Sequence, residues 1–271
     1  MTVNHDSVDG AASLRDQRAR QEHIRHHVAA HGSARIQDLV ETFGVSSMTI
    51  HRDLDVLQSQ GWLRKVRGGA TAEPSAVFHG DFGHRSNAMR PAKQAIAAAA
   101  VELIRPGQAV ILDDSTTALS LAELLPGRLP VTVVTNFLAT IKLLAGAPGI
   151  DLVGLGGAYY PAYDAFLGMR TLEAVQPIRA DLLFMSTTAV TDGVCYHTST
   201  DTIQVKRALM AAAAERILLV DHTKFARRAL NELCPLTAFD AVFVDSGLAP
   251  DVVADLTAQG VTVRVVDTAR A

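Results

Sequence analysis

The chain has 271 residues, of which 48% are hydrophobic and 20% charged, and its formal net charge is −3. These totals fit a soluble globular protein long enough for two domains, and they argue against a disordered, fibrous or generally nucleic-acid-coating chain. No run of 18 uninterrupted apolar residues occurs, which argues against a membrane helix.

The opening MTVNHDSVDGAASLRDQRAR has no apolar centre of the signal-peptide kind, so residues 1–14 are expected to be a disordered lead-in to a cytoplasmic protein. Residues 15–72 make the first expected domain. Arg18 to His31 reads as a helix with Ile24 and Val28 on its inner stripe, stopped by Gly32. Ile36, Leu39, Val40 and Phe43 recur at spacings of three and four, which predicts a short helix from Arg35 to Phe43. Gly44-Val45-Ser46 then turns the chain, and a third helix from about Ser47 to Gln60 buries Ile50, Leu54 and Leu57. Helix, glycine turn, helix is the helix-turn-helix pattern.

Met48, His51, Arg52 and Asp55 project away from Ile50 on the third helix, and its first turn offers the hydroxyls of Ser46, Ser47 and Thr49 beside free N–H groups. Laid in a major groove, such a helix end can bind phosphate and present His51 or Arg52 to base edges. The plain alternative is an amphipathic helix with a solvated face. The next segment favours DNA. Leu63 to Thr71 alternates, carries Arg64, Lys65 and Arg67 within four positions, and turns at Gly68-Gly69. A basic ribbon of this kind can run along the DNA backbone as a wing, with Lys65, Arg67 and Gly68 near phosphates and Trp62 packing it onto the helices. Arg35 completes the set of expected DNA contacts. Charge follows the same division: residues 15–70 hold nine Lys/Arg against six Asp/Glu, and the rest of the chain holds 16 against 22. His23, His27 and His31 share one helix face, but no further ligand lies near, so a solvent face is expected there and no metal site.

Residues 73–90, with Pro74 and the polar His79-Gly80-Asp81-Phe82-Gly83-His84, read as a linker to a second domain over 91–271. Apolar strands are predicted near 108–113, 131–135, 151–155, 181–186, 217–221, 241–245 and 261–266. Helices are predicted near 91–104, 117–125, 137–145, 201–214 and 250–259. Continuous apolar strands between helices imply an α/β domain with a mainly parallel sheet buried on both faces.

Ligands of such sheets bind at the carboxyl ends of the strands. Polar residues gather there: Asp113, Asp114, Ser115, Thr116 and Thr117; Thr135 and Asn136; Gly156 and Gly157; Ser186, Thr187 and Thr188; and Asp221-His222-Thr223-Lys224. Five loops converging on one rim predict a pocket for a small phosphorylated metabolite. Lys206 or Lys224 would neutralise the phosphate, and Asp113 or Asp114 would accept hydrogen bonds from sugar hydroxyls. Each loop taken singly is better explained by helix capping. No GxGxxG, GxxxxGK[ST] or CxxC motif occurs, so no nucleotide or metal cofactor is expected. Cys195 and Cys234 stand outside any metal spacing and fit a reducing compartment as ordinary core or surface residues.

The stretch from Arg20 to Thr71, centred on FGVSSMTIHRDLDVLQSQGWLRKVRGGA, resembles the winged helix of DeoR-family bacterial regulators. It matches at Val45, Ser46, Thr49, Ile50, Arg52, Asp53 and Leu54, with His51 where the family usually has arginine. The resemblance continues through Lys93-Gln94-Ala95-Ile96-Ala97, Asp113 to Thr117, Val134-Thr135-Asn136, Gly156-Gly157, Val205-Lys206-Arg207 and Asp221 to Phe225. It implies a winged helix-turn-helix on an effector domain that resembles ribose phosphate isomerase in fold. It further implies a homo-oligomeric repressor of a carbohydrate-metabolism operon, released from double-stranded operator DNA by a phosphorylated sugar or related metabolite. Ser115 stands where the family usually has glycine, and Thr202 and Gln204 where it often has glutamates, which points to a ligand of different shape or lower charge. Two other functions use the same residues. One is a sugar phosphate isomerase-like enzyme with a DNA-binding appendage, in which Asp113, Asp114 and Lys206 move protons. The other is a constitutive regulator whose second domain serves only for assembly.

Overall fold

The computed structural model describes residues 17–25, 27–28, 33–59, 62–71, 82–127 and 130–268. The chain divides into two compact units, Met1–Pro74 and Ser75–Ala271. The expected lead-in over 1–14, His31, the helix stop at Gly32, and the linker residues before 82 lie outside the described residues. Among the described residues, no helix is long and apolar enough to cross a membrane.

In the first unit a helix over residues 17–25 and 27–28 (α1) is followed by β1 (Ser33–Arg35), α2 (Ile36–Phe43), α3 (Ser47–Ser59), β2 (Arg64–Val66) and β3 (Gly69–Thr71). Ile24, Val28, Leu39, Ile50, Leu54, Leu57 and Leu63 form its core, with Trp62 packed against it as the pattern predicts. Ser46 starts α3: its hydroxyl accepts from the Thr49 amide at 3.2 Å, occupying one N–H that the helix start leaves free. Asp53 is buried on α3 and tied to α1 by Arg20 Nε at 2.6 Å and Gln21 Nε2 at 2.8 Å. The wing has three strands rather than two, in the order β1-β3-β2, all antiparallel. The three residues of β1 are too few to announce a strand, and their pairing partner Gly69–Thr71 is far away in sequence. That pairing explains Gly69, because a Cβ there would sit 2.3 Å from the Ala34 carbonyl oxygen.

The second unit begins earlier than the sequence implies. Residues 82–90, read as linker, hold α4 (Phe82–Asn87) and the start of α5 (Arg90–Ala100), because Phe82 packs edge-on against Phe137 at 5.5 Å. There follow β4 (Ala109–Leu112), α6 (Thr116–Ala122), β5 (Val131–Thr135), α7 (Leu138–Leu144), β6 (Ile150–Gly154), β7 (Ala158–Tyr160), β8 (Ala165–Leu167) and α8 (Met169–Val175). Next come β9 (Ala180–Met185), β10 (Ala189–Thr191), β11 (Val194–His197), α9 (Thr200–Ala212), β12 (Ala213–Val220), β13 (Asn231–Pro235), β14 (Ala241–Asp245), α10 (Pro250–Ala258) and β15 (Val263–Val266).

Seven strands make one sheet in the order β15-β14-β12-β9-β4-β5-β6, and every pairing in it is parallel. Alternate residues serve opposite faces. Ile111, Leu183, Leu218 and Val242 pack one core with Leu209 of α9 and Leu256 of α10. Val110, Leu112, Phe184, Leu219 and Phe243 pack the other with Ile96 of α5, Leu121 of α6 and Leu144 of α7. Burial on both faces is why the central strands β4, β9, β12 and β14 have apolar runs, each large side chain contributing about 1.5–3 kcal/mol. From β4 the chain winds outward through β5 and β6, and from β9 it winds the opposite way through β12, β14 and β15. The order therefore reverses between β4 and β9, and a crevice opens at their carboxyl ends.

Candidate functional site

That crevice forms a half-open cleft lined mostly by polar and charged side chains. Three strand ends build it: Asp114 to Thr117 after β4, Ser186 to Thr188 after β9, and Asp221 to Arg227 after β12. Lys93 of α5, Arg85 of α4, His197 of β11 and Lys206 of α9 complete the lining. Ser115 caps α6, its hydroxyl accepting from the Ala118 amide at 3.1 Å. Asp221 accepts from the Thr223 amide at 3.1 Å and caps the single helical turn His222–Ala226.

Four of the cations stand around little negative charge. Lys93 donates to Thr116 Oγ1 at 2.9 Å and to the Arg85 carbonyl. Arg85 reaches the Tyr163 carbonyl at 3.2 Å and lies over the Tyr163 ring, while its Nε is buried without a hydrogen-bond partner. Lys224 stands 3.7 Å from Asp221, which is buried. Arg227 is on the same wall. Burial, then the charge of Lys224, push the Lys93 ammonium down to about 7 despite Asp221. Burial pushes Lys224 down to about 8, with Arg227 and Arg85 adding to the push and Asp221 opposing it. Burial raises the Asp221 carboxyl, but Lys224, the Thr223 hydrogen bond and Arg227 outweigh it and leave it below the ordinary range. Crowded, desolvated cations of this kind can hold an anion.

Lys206 is different. Its ammonium is buried between Asp113 and, at 3.0 Å, Asp114, and it also donates to the Ser186 carbonyl at 3.2 Å. Burial pushes it down, but the two carboxylates overcome that and hold it above its ordinary value. The same contact, followed by His197 and Arg85, offsets burial at Asp114 and leaves that carboxyl low. Lys206 therefore brings a compensated charge to the cleft, not a free one.

Of the effector residues expected from sequence, Asp114, Ser115, Thr116, Thr117, Lys206 and Lys224 come together. Asp113 does not face the cleft: one of its oxygens accepts from the Ser115 amide at 3.0 Å, the other from the Ser186 amide at 2.9 Å and from Lys206. Thr135, Asn136, Gly156 and Gly157 lie outside it too, since β5 and β6 stand on the far side of β4. Thr135 caps its own loop through the Phe137 amide at 3.1 Å, and Asn136 binds the Phe166 carbonyl at 3.0 Å. Gly157 serves packing, because a Cβ would stand 2.0 Å from Thr171 Oγ1. Thr202 is buried outside the lining and Gln204 is exposed, so neither departure from the family pattern shapes the cleft. Arg85, Lys93, His197 and Arg227 are not among the residues expected from sequence: Arg85 sits in a stretch that composition marks as linker, Lys93 on a helix, His197 at the end of the short strand β11, and Arg227 just beyond a single helical turn. Among the described residues no cluster of His, Cys, Asp or Glu is placed to hold a metal ion.

In the first unit Arg35, Ser46, Ser47, Arg52, Arg67 and Gly68 are exposed, and Thr49, His51 and Lys65 are partly so. Met48 also faces solvent, at 62%. Ser46 Oγ and Thr49 Oγ1 share a hydrogen bond at 2.9 Å, and Lys65 pairs with Asp55 of α3 at 2.5 Å. Trp62 stacks under Arg25, 4.1 Å from ring to guanidinium.

Comparison with known proteins gives these two units their family. Residues 20–76 match the DeoR-like helix-turn-helix domain, and residues 89–246 the DeoR C terminal sensor domain. A provisionally named aga operon transcriptional repressor of Escherichia coli O157:H7 is 31% identical over 97% of this chain and 99% of that protein. The lactose phosphotransferase system repressor of Staphylococcus epidermidis RP62A is 30% identical over 79% of this chain and 86% of its own. The L-fucose operon activator of Haemophilus influenzae is 30% identical, with 86% and 93% covered. Among solved structures, a ribose 5-phosphate isomerase A from Methanocaldococcus jannaschii aligns at 20% identity over 49% of this chain and 53% of that chain, with a TM-score of 0.36, a level that carries no argument about ligand or chemistry. A DNA-binding helix-turn-helix joined to a sensor domain, shared with these regulators along nearly the whole sequence, makes this chain a member of the DeoR family of transcriptional regulators.

Proposed function

We propose that this regulator represses a carbohydrate-metabolism operon as a cytoplasmic homo-oligomer and leaves its operator when a phosphorylated sugar, or a related phosphate ester, enters the cleft. The observation that carries the reading is the group Arg85, Lys93, Lys224 and Arg227 beside the carboxylate of Asp221, with Asp114, the other carboxylate of the lining, already held by Lys206. A phosphate dianion supplies the missing charge and accepts charge-assisted hydrogen bonds from all four. Thr117 and Thr188 offer hydroxyls for the remaining oxygens, and Asp114 and His197 can orient the sugar. This charge speaks for an anionic ligand rather than a weakly charged one.

In the head, residues 15–72, the exposed start of α3 fits a major groove, with Arg52 and His51 at base edges and Ser47 at a phosphate. Arg35, Lys65, Arg67 and Gly68 supply backbone contacts from the three-stranded wing. The body, over 82–268, carries the effector site and the contacts between copies. The names of the relatives support a sugar-linked operon, two of the three being repressors. An isomerase needs a carboxylate free to take a proton from carbon, whereas Asp113 and Asp114 are both engaged by Lys206.

The test is fluorescence anisotropy of the full chain on DNA from upstream of its own gene, titrated with phosphorylated sugars and their unphosphorylated parents. Release by one phosphate ester and not by its parent is expected. Tight, salt-sensitive binding that no metabolite alters would retain the head and remove the proposed ligand.

A further inference from the structure

Cys195 and Cys234 are free thiols that face each other across the antiparallel pair β11–β13, as direct register partners. Such partners stand about 4.5–5.5 Å apart at Cα. A disulfide spans about 4.4–6.8 Å, so the pair can close with little backbone movement. The two thiols are unlike. Cys195 is wholly buried, whereas Cys234 is partly exposed. Hydrogen bonding from Cys195 lowers the Cys234 thiol; burial opposes this, and the Arg207 guanidinium adds to the lowering. Arg207 is fixed over that strand by the carbonyls of Leu233 at 2.9 Å and Glu232 at 3.1 Å. A thiol with an adjacent guanidinium, an accessible edge and a second thiol behind it has the features of a redox-active cysteine with its resolving partner.

The pair also has a structural line to the cleft. The β11–β13 register slips between Cys195 and Tyr196. At that irregularity the Tyr196 carbonyl accepts from Thr187 Oγ1 at 2.8 Å and from the Thr188 amide at 3.2 Å. Thr187 and Thr188 form one wall of the cleft.

We propose that Cys195 and Cys234 are a peroxide-responsive pair that closes to a cross-strand disulfide and, through the Tyr196 carbonyl, resets the Thr187–Thr188 wall. The Cys234 thiolate attacks one peroxide oxygen, the O–O bond breaks, and hydroxide leaves and takes a proton from solvent, giving a sulfenic acid. The Cys195 sulfur then attacks the Cys234 sulfur as its own proton passes to the departing oxygen. The S–O bond breaks and water leaves. Two thiols are oxidised and one hydrogen peroxide is reduced to two waters. The chemistry of the pair stands apart from the proposed ligand, and only the metabolic meaning of the altered wall rests on it.

The experiment treats the native full chain with hydrogen peroxide and follows intact mass, thiol count, peptide linkage and amide hydrogen exchange. Loss of both thiols with loss of two hydrogens within one chain is expected, reversed by dithiothreitol, with Cys195 linked to Cys234. Cys195→Ser should stop at a sulfenic acid on Cys234 that dimedone traps, and Cys234→Ser should give neither product. Exchange at the Thr187 and Thr188 amides should change on oxidation of the wild type and stay unchanged in peroxide-treated Cys195→Ser. Two titratable thiols after peroxide treatment of the wild type, or a bridge formed only between chains, would overturn the pair. A disulfide that leaves exchange at 187 and 188 unmoved would overturn its link to the cleft.

Discussion

With Asp113 and Asp114 both on it, Lys206 has its charge compensated inside the body, and replacing it tests architecture rather than ligand binding. Lys206→Met leaves two buried carboxylates without their counter-charge, and removing one partner of such a group costs about 3–5 kcal/mol. A urea midpoint lowered accordingly is the expected outcome. Lys224 and Lys93 behave differently, because burial and neighbouring cations already hold them near 8 and 7. Raising the pH through that window removes the charges an anion needs, so phosphate-ester affinity should fall between about pH 7 and 8. At pH 7.5 binding should draw protons from solution, which calorimetry in buffers of different ionisation enthalpy reads directly. Lys93→Ala should lose most of the proton uptake, and Lys224→Ala should lose the metabolite response while keeping DNA affinity. In ligand-free protein the sign is opposite: both lysines sit below the ordinary 10.5, so the folded body gains stability as pH rises from about 7 toward 10.5. On the head, Arg52→Ala should narrow the gap between operator and random DNA. Arg67→Ala should weaken both alike and reduce the salt slope by about one.

At the scale of elements the wing offers the sharpest case. Gly69→Ala drives a methyl into the Ala34 carbonyl and must separate β1 from β3. Overpacking of this kind costs about 1–3 kcal/mol; a lower thermal midpoint for the head and weaker DNA binding are expected, with the body's ligand affinity unchanged. The same strand shows why some elements were legible beforehand and others not. Apolar runs such as AVIL in β4 and AVFVD in β14 announce themselves, as do the spacings of Ile50, Leu54 and Leu57 in α3. Three-residue strands such as β1, β7, β8 and β10 carry too few residues for a period and owe their existence to partners elsewhere in the chain. β12 begins at Ala213, where a helix continuing to 214 was expected, because Ala213 finds a partner in Ala180. The outline of the candidate site was only partly legible for a related reason. Every strand end looked polar enough to bind, but only the lateral order of strands decides which ends meet. β5 and β6 lie outside that meeting point, and the Phe166 amide, bound to the Asn136 carbonyl at 2.9 Å, brings the β7–β8 hairpin to the end of β5.

For the molecule as a whole, coupling between metabolite and operator is a free energy that both must share. A twenty-fold loss of DNA affinity on ligand binding corresponds to about 1.8 kcal/mol, and operator DNA must lower ligand affinity by the same factor. Calorimetric titration of the ligand, with and without saturating operator, should return the factor that anisotropy gives for DNA. A factor of one in both titrations would mean that ligand and operator are not coupled.

The lining of the cleft also spans a long stretch of sequence. From Arg85 through Lys93, Thr116 and Thr187 to Lys224 and Arg227, the lining draws on segments from most of the body, which the proposed anion would bring together. Occupancy thus acts as a reversible cross-link, closing loops of chain that would otherwise open independently. At a hundred times its dissociation constant a ligand adds about 2.7 kcal/mol against unfolding. A protease that cuts only opened chain would then remove the empty regulator faster than the filled one, and the lifetime of each copy would record its recent supply of metabolite.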